Sequence, residues 1–182
     1  KKGDRLAIVA RNLPEWSAAF WAGVLGLEAR SAGADSDDLK LVGPTDRHTV
    51  WINEVPEPKT VKHRVHIEFS VDDLADPEGG EFCAFVRDGA ITRRIYEIGV
   101  DCGNSAQECH DLATWWAHAL DARVVENDGY SYIEAIPDAP FDSIDFVPVP
   151  EPKVVKNRIH LDFFGDADAL VTAGATVLRV DP

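Results

Sequence analysis

Fifteen residues of this chain occur twice. Residues 55–69 read Val-Pro-Glu-Pro-Lys-Thr-Val-Lys-His-Arg-Val-His-Ile-Glu-Phe, and residues 149–163 read Val-Pro-Glu-Pro-Lys-Val-Val-Lys-Asn-Arg-Ile-His-Leu-Asp-Phe. Ten of the fifteen positions are identical, and three of the five differences keep the chemistry: Val65/Ile159, Ile67/Leu161 and Glu68/Asp162. The copies lie 94 residues apart. Solenoid repeats recur every ~20–50 residues, so this longer period is that of a small domain. It predicts two related modules in tandem, residues 1–88 and 89–182.

Each copy reads in the same order. In the first, residues 5–11 alternate as a strand. Asn12 then offers an N-cap, Pro14 suits a first turn and Glu15 complements the helix dipole. Trp16, Ala19, Phe20, Gly23, Val24 and Leu27 recur at helical spacing and predict an apolar stripe, with Gly26 at the helix end. Strands follow near 39–42, 48–55 and 64–71. In the second copy, a strand at 94–102 precedes a helix over 105–120 that buries Trp115, Trp116 and Leu120. Strands near 123–126, 130–136, 143–149 and 158–164 come next, then a helix over 166–173 and a strand over 175–180. Both copies thus read β-α-β-β-β, a proline-bearing linker, then β, an α+β pattern.

Charge limits the partners. The formal net charge is −14, and phosphate binding needs a basic face, so nucleic acid and anionic membranes are not expected. No apolar run reaches the roughly 18–20 residues that span a bilayer. The chain from Lys1 onward shows no charged-then-apolar export signal. Cys83, Cys102 and Cys109 are odd in number and fit no zinc spacing, so they read as reduced thiols in a cytoplasmic protein. There is no glycine-rich phosphate loop, no Ser-His-Asp order and no paired-carboxylate motif.

Several segments together resemble one family. They are Ala19-Phe20-Trp21-Ala22-Gly23-Val24-Leu25-Gly26, the two Val-Pro-Glu-Pro-Lys linkers, Arg64-Val65-His66-Ile67-Glu68-Phe69 with Val71-Asp72-Asp73-Leu74, and Asp76-Pro77-Glu78-Gly79-Gly80-Glu81-Phe82-Cys83. This combination resembles the tandem glyoxalase-like branch of the vicinal oxygen chelate superfamily, which includes glyoxalase I, bleomycin-resistance proteins and extradiol dioxygenases. A shorter stretch, Lys2 to Trp16, is similar to an early segment of acyl-CoA ligases, but none of that family's nucleotide-binding motifs follows. The resemblance implies two βαβββ modules whose cupped mixed sheets carry helices on the outer face. It also implies a helix and two strands between Leu74 and Asp76, where only Ala75 stands. The second copy ends at Pro182, before its own Asp-Pro-Glu-Gly strand. Each sheet is then either frayed or completed by the other module.

Strand alternation marks the candidate site residues. Val65, Ile67 and Phe69 share one face, with His66 and Glu68 on the other. Ile159, Leu161 and Phe163 likewise oppose His160 and Asp162. Glu97, Gly99 and Asp101 oppose Ile98, Val100 and Cys102. In the superfamily the face away from the helices lines the ligand cleft. His66 and His160 are therefore either catalytic acid–base groups or structural hydrogen-bonding residues. Trp51, Asn53, Glu68, Glu97, Asp101 and Asp162 are candidate ligand-binding residues, Trp51 being a cleft wall or a core residue. The linker lysines Lys59, Lys62, Lys153 and Lys156 read as solvated. The superfamily's metal positions carry over to Leu6, Asn53, His66 and Cys83 in the first module, and to Glu97, Val147 and His160 in the second. Leu6 and Val147 cannot coordinate, so no complete metal site is expected. Any divalent ion would fall to Glu97 and His160.

The expected function is binding of a small organic molecule in a cupped cleft, without a cofactor. The alternative is a metal-dependent lyase, isomerase or dioxygenase that uses Glu97 and His160. A sequestering homodimer is a further expectation.

Overall fold

The computed structural model describes residues 5–10, 14–33, 36–45, 49–68, 70–75, 79, 81–85, 95–162 and 165–178; for residues 5–10, 14, 68, 70–75, 81 and 83–85 it describes the backbone. Strand β1 (Arg5–Ala10) leads to helix α1 (Pro14–Leu25), then β2 (Glu28–Ser31), β3 (Leu39–Val42) and β4 (Thr49–Glu54). Past the first linker come β5 (Val65–Glu68), β6 (Ser70–Ala75) and β7 (Glu81–Phe85). The second copy repeats the order: β8 (Glu97–Cys102), α2 (Ala106–Leu120), β9 (Arg123–Asn127), β10 (Tyr130–Glu134), β11 (Ser143–Pro148), then β12 (Ile159–Asp162) and α3 (Ala167–Thr172).

The strands exchange partners between copies. One sheet runs β12-β1-β4-β3-β2, the other β6-β7-β5-β8-β11-β10-β9. The first copy's β5 therefore lies antiparallel to β8, while the second copy's β12 lies antiparallel to β1. Each sheet is completed by the other copy. The predicted boundary at 88/89 falls outside the described residues, and sheet membership follows this exchange instead.

Register relates the copies more finely than the repeat does. Arg5 pairs with Thr49 and Glu97 with Ser143, so β1 and β8 superpose at an offset of 92. From β4 and β11 onward the offset is 94. The loop joining β10 to β11 spans residues 135–142, two residues more than residues 43–48 between β3 and β4. It turns through left-handed backbone at Ala135 and Asp138 (φ 57° and 58°). Glu97 therefore corresponds to Arg5, and Leu6 to Ile98, which corrects the expected match of Leu6 with Glu97.

Sequence explains why α2 starts and stops where it does. The Ser105 Oγ accepts from the Glu108 N–H at 3.2 Å, and the Glu108 carboxylate reaches back to the Asn104 N–H at 2.7 Å. Together these satisfy donors that the helix leaves without partners. Gly103 makes room for this cap, since a Cβ there would lie 2.9 Å from Glu108 Cβ. Asp121, in left-handed conformation (φ 52°), closes the helix with its N–H on the Ala117 carbonyl.

Two apolar layers meet in one core. Cys109, Ala113 and Ala117 of α2 are buried, as are Ile98, Ile133, Ile144 and Phe146 of the second sheet. Ala18, Trp21 and Leu25 of α1 are buried with Leu41, Val50 and Ile52 of the first. Phe82 of β7 packs on Phe20 and Trp21 of α1, with ring centroids 5.8 and 5.4 Å apart. β7 thus ties the second sheet to the first helix.

Some expectations are corrected. The buried face of α1 carries Ser17, Ala18, Trp21 and Leu25, while Trp16 is 65% exposed. The segment Pro14–Leu25 is apolar almost all round, so periodicity alone does not set its phase. Trp115 and Trp116 are half-buried rather than buried. They stack edge-to-face on each other at 4.9 Å, and Trp115 donates to the Ala173 carbonyl at 2.7 Å. Residues 175–178 form no strand. Where the resemblance implies a helix after Leu74, β6 and β7 form an antiparallel hairpin. Cys102 and Cys109 are joined as a disulfide, not reduced thiols, which removes the ground for the cytoplasmic placement.

Candidate functional site

Polar residues gather on one face of the seven-stranded sheet. The register sets His66 opposite Gly99 and Glu68 opposite Glu97, with Ser143 and Asp145 opposite Glu97 and Gly99 on the far side of β8. Glu97, Asp101, His66 and Ser143 are all under 10% exposed. The reverse face of the same strands, Val65, Ile67, Ile98, Ile144 and Phe146, belongs to the core beneath α2. Period-two alternation therefore produces both faces at once.

Asp101 is the hub. Its Oδ1 lies 3.3 Å from His66 Nε2, and its Oδ2 3.1 Å from Lys62 Nζ. Burial works against the ionised carboxyl, but the hydrogen bonds from His66 and Lys62 outweigh it and hold the acid below its ordinary range. An ionised carboxylate only accepts, so His66 Nε2 carries the proton it donates. In the neutral ring Nδ1 then has the lone pair and is the nitrogen that can take up a proton, with Asp101 stabilising the resulting imidazolium. Nearby, Ser143 Oγ donates to Asp145 Oδ1 at 2.7 Å and lies 3.5 Å from Glu97 Oε2.

The sign of the pH effect follows. A carboxyl depressed by folding adds stability above its unfolded pKa, about 4, and that gain is lost as pH falls through the lower folded value. Asp101→Asn is expected to cost roughly 1–3 kcal/mol at pH 7, with the gap to wild type closing below about pH 4. Urea unfolding of both proteins across pH 7 to 3 measures this, and a gap that stays constant contradicts it.

The structure divides the predicted site residues between two sheets. His66, Glu97 and Asp101 come together on the second sheet, and Glu68 shares their register. His160 and Asp162 lie on β12 in the first sheet, where Ala7 pairs with both His160 and Trp51. There His160 Nε2 lies 3.5 Å from Asp162 Oδ1, both nearly half exposed. Lys40 Nζ sits 5.8 Å from the Trp51 ring, and Asn53 lies two residues further along β4. The expected partnership of Glu97 with His160 is therefore not made, because strand exchange places His66 beside the strand of Glu97. Sequence reading also missed Ser143 and Asp145, which alternation along residues 143–149 could have marked, and the ion pair that the exposed Lys62 makes with Asp101.

A metal would need three donors. Among the described residues no group of three or more His, Cys, Asp or Glu side chains could hold one, and His66 Nε2 is already engaged by Asp101. The described donor set does not fit a metal centre.

Two cavities border the Asp101 end of this face. One, of about 610 Å³, runs between the sheets past Val65, Val100, Trp116, Ile159 and His160. The other, of about 820 Å³, lies between the two linkers. Glu97, Ser143 and Asp145 line neither.

The glyoxalase-like domain family matches residues 7–75 and 97–182. The chain belongs to that family. It is thereby a member of the vicinal oxygen chelate superfamily, in agreement with the resemblance read from its segments. None of the curated proteins matches the chain significantly. Among solved structures, it is similar to a lactoylglutathione lyase from Agrobacterium tumefaciens (18% identity, 79% of this chain and 90% of the other, TM-score 0.25). It is also similar to the fosfomycin resistance protein FosX from Listeria monocytogenes (11%, 78% and 86%, TM-score 0.27) and the cppA protein from Streptococcus pneumoniae (11%, 81% and 98%, TM-score 0.35). Among the described residues of this glyoxalase-like chain, no helix is long and apolar enough to cross a membrane.

Proposed function

We propose that this glyoxalase-like protein binds a small organic molecule on the polar face of the seven-stranded sheet, without a complete metal site. The observation that carries the reading is that His66 of the first copy and Glu97 and Asp101 of the second share one face of this sheet, opposite the face packed in the core beneath α2. His66 and Asp101 form a proton-handling pair, and Ser143 and Asp145 supply further hydrogen-bonding groups. A ligand bearing a carbonyl, enol or hydroxyl group suits this chemistry.

The metal-dependent reading keeps one supporting feature. Glu68 stands opposite Glu97 in register, one pleat from His66. In that reading the pair is Glu97 with His66, not with His160.

The test combines elemental analysis of the purified protein with melting curves in a panel of small hydroxy and keto compounds. We expect no stoichiometric metal, and a rise of several degrees with at least one compound that His66→Ala abolishes. One zinc, nickel or iron per chain would sink the metal-free reading. A ligand-induced rise that His66→Ala leaves intact would remove the site from this face.

A further inference from the structure

The cavity between the linkers lies on the axis of the duplication. Arg64 Nη1 donates to the Glu151 carbonyl at 2.8 Å, and Arg158 Nη1 donates to the Glu57 carbonyl at 2.9 Å. Both arginines and both glutamates are related by the 94-residue offset, so the two contacts are the same contact made twice. Each linker is thus clasped by the strand entry of the other copy.

The cavity wall repeats in the same way. Lys62 and Lys156, Arg64 and Arg158, and Val61 and Val155 face it in copy-related pairs. Lys59 makes a fifth cationic residue, against the three carboxylates of Glu57, Asp101 and Glu151. Asp101 is already paired with Lys62 and His66. A lining with more positive than negative groups is notable in a chain whose formal net charge is −14. Among the lining residues, Val61 and Val155 are 39% and 43% exposed, large for apolar side chains. A volume of about 820 Å³ falls within the ~300–1,000 Å³ of small-molecule sites.

We propose that this cavity binds a small organic dianion: two anionic groups joined by a short apolar stretch, lying across the axis of the duplication. The copy-related pairs Lys62/Lys156 and Arg64/Arg158 come from both linkers, which suits an anionic group toward each. The exposed lining valines favour hydrocarbon over a further charge. It meets the sheet-face site at Asp101, which borders both, while Glu97, Ser143 and Asp145 do not line it.

Adipate is the probe, with hexanoate and dimethyl adipate as singly charged and neutral controls at matched ionic strength. Calorimetry on the whole protein is expected to show saturable, salt-sensitive binding of adipate at one per chain, with hexanoate at least about tenfold weaker and the diester silent. Lys156→Glu is expected to weaken adipate about tenfold or more through reversal of one nearby charge, and Lys59→Glu serves as a second variant should the first misfold. Compounds that raise the melting temperature through the sheet face are expected not to displace adipate, and adipate binding is read whether or not such a compound is found, so failure of the sheet-face reading and failure of this one are distinguishable. Absence of saturable binding, equal binding of hexanoate, or full binding by both folded lysine variants would overturn the proposal.

Discussion

Arg64→Ala is expected to lower the stability of the protein by roughly 3 kcal/mol, and Arg158→Ala to lower it as well. Both side chains donate to the carbonyl of a glutamate in the opposite linker, but Arg64 also donates through Nη2 to the Cys102 carbonyl in a partly buried setting. Hydrogen bonds from a charged donor contribute about 1.5–3 kcal/mol each, and truncation leaves the Cys102 carbonyl, at the end of β8, without that donor. Lysine cannot reproduce a fork that reaches two carbonyls, so Arg64→Lys is expected to recover less than half of the loss. Urea unfolding of the variants and of the double mutant gives the values. Losses under about 0.5 kcal/mol at both would show that the clasp does not hold the linkers.

Breaking the Cys102–Cys109 disulfide is the second large effect. It joins the last residue of β8 to the first turn of α2 across a sequence separation of seven. Closing so short a loop in the unfolded chain is worth about 2–3 kcal/mol on the chain-entropy account. For a protein of this size that corresponds to a fall in Tm of roughly 5–10 °C. Both sulfurs belong to nearly inaccessible residues, so reduction should need opening of the α2 N-terminus and proceed slowly under native conditions. Melting curves with and without a phosphine reductant check this, with Cys109→Ala as the variant in which reductant has no further effect. An unchanged Tm in the reduced wild type would contradict it.

Much of the architecture was legible because it is written locally. The order β-α-β-β-β, linker, β follows from alternation, caps and prolines, each acting within a few residues. The helix read over 105–120 stands at Ala106–Leu120, and residues 39–42 and 166–173 fold nearly as their patterns imply. The phase of α1 was not legible, because Ala18, Phe20, Trp21, Val24 and Leu25 offer apolar groups on every side. Partner choice was not legible either. Nothing in Val65–Glu68 says whether its edge hydrogen bonds will meet β1 or β8, since both offer the same alternation. That choice decided the site, bringing His66 rather than His160 to Glu97. The two-residue extension in the β10–β11 loop was equally hidden and shifted the match of Glu97 from Leu6 to Arg5. The arginines of the clasp did carry a signal: among the identical positions of the repeat, Arg64 and Arg158 are charged residues at the entrance of a buried strand.

The exchange of β5 and β12 has a consequence for how such a chain is inherited. Each half keeps one strand in its sibling's sheet, so neither half closes its own sheet when alone. A half-length ancestor would have met the same requirement by lending that strand to an identical molecule about a two-fold axis. The present chain has the form of that assembly with its subunits fused end to end. Fusion frees the halves to diverge, as Glu97 and Arg5 have done at one shared position, while each remains the other's scaffold. A substitution in one half is therefore paid for in the fold of both.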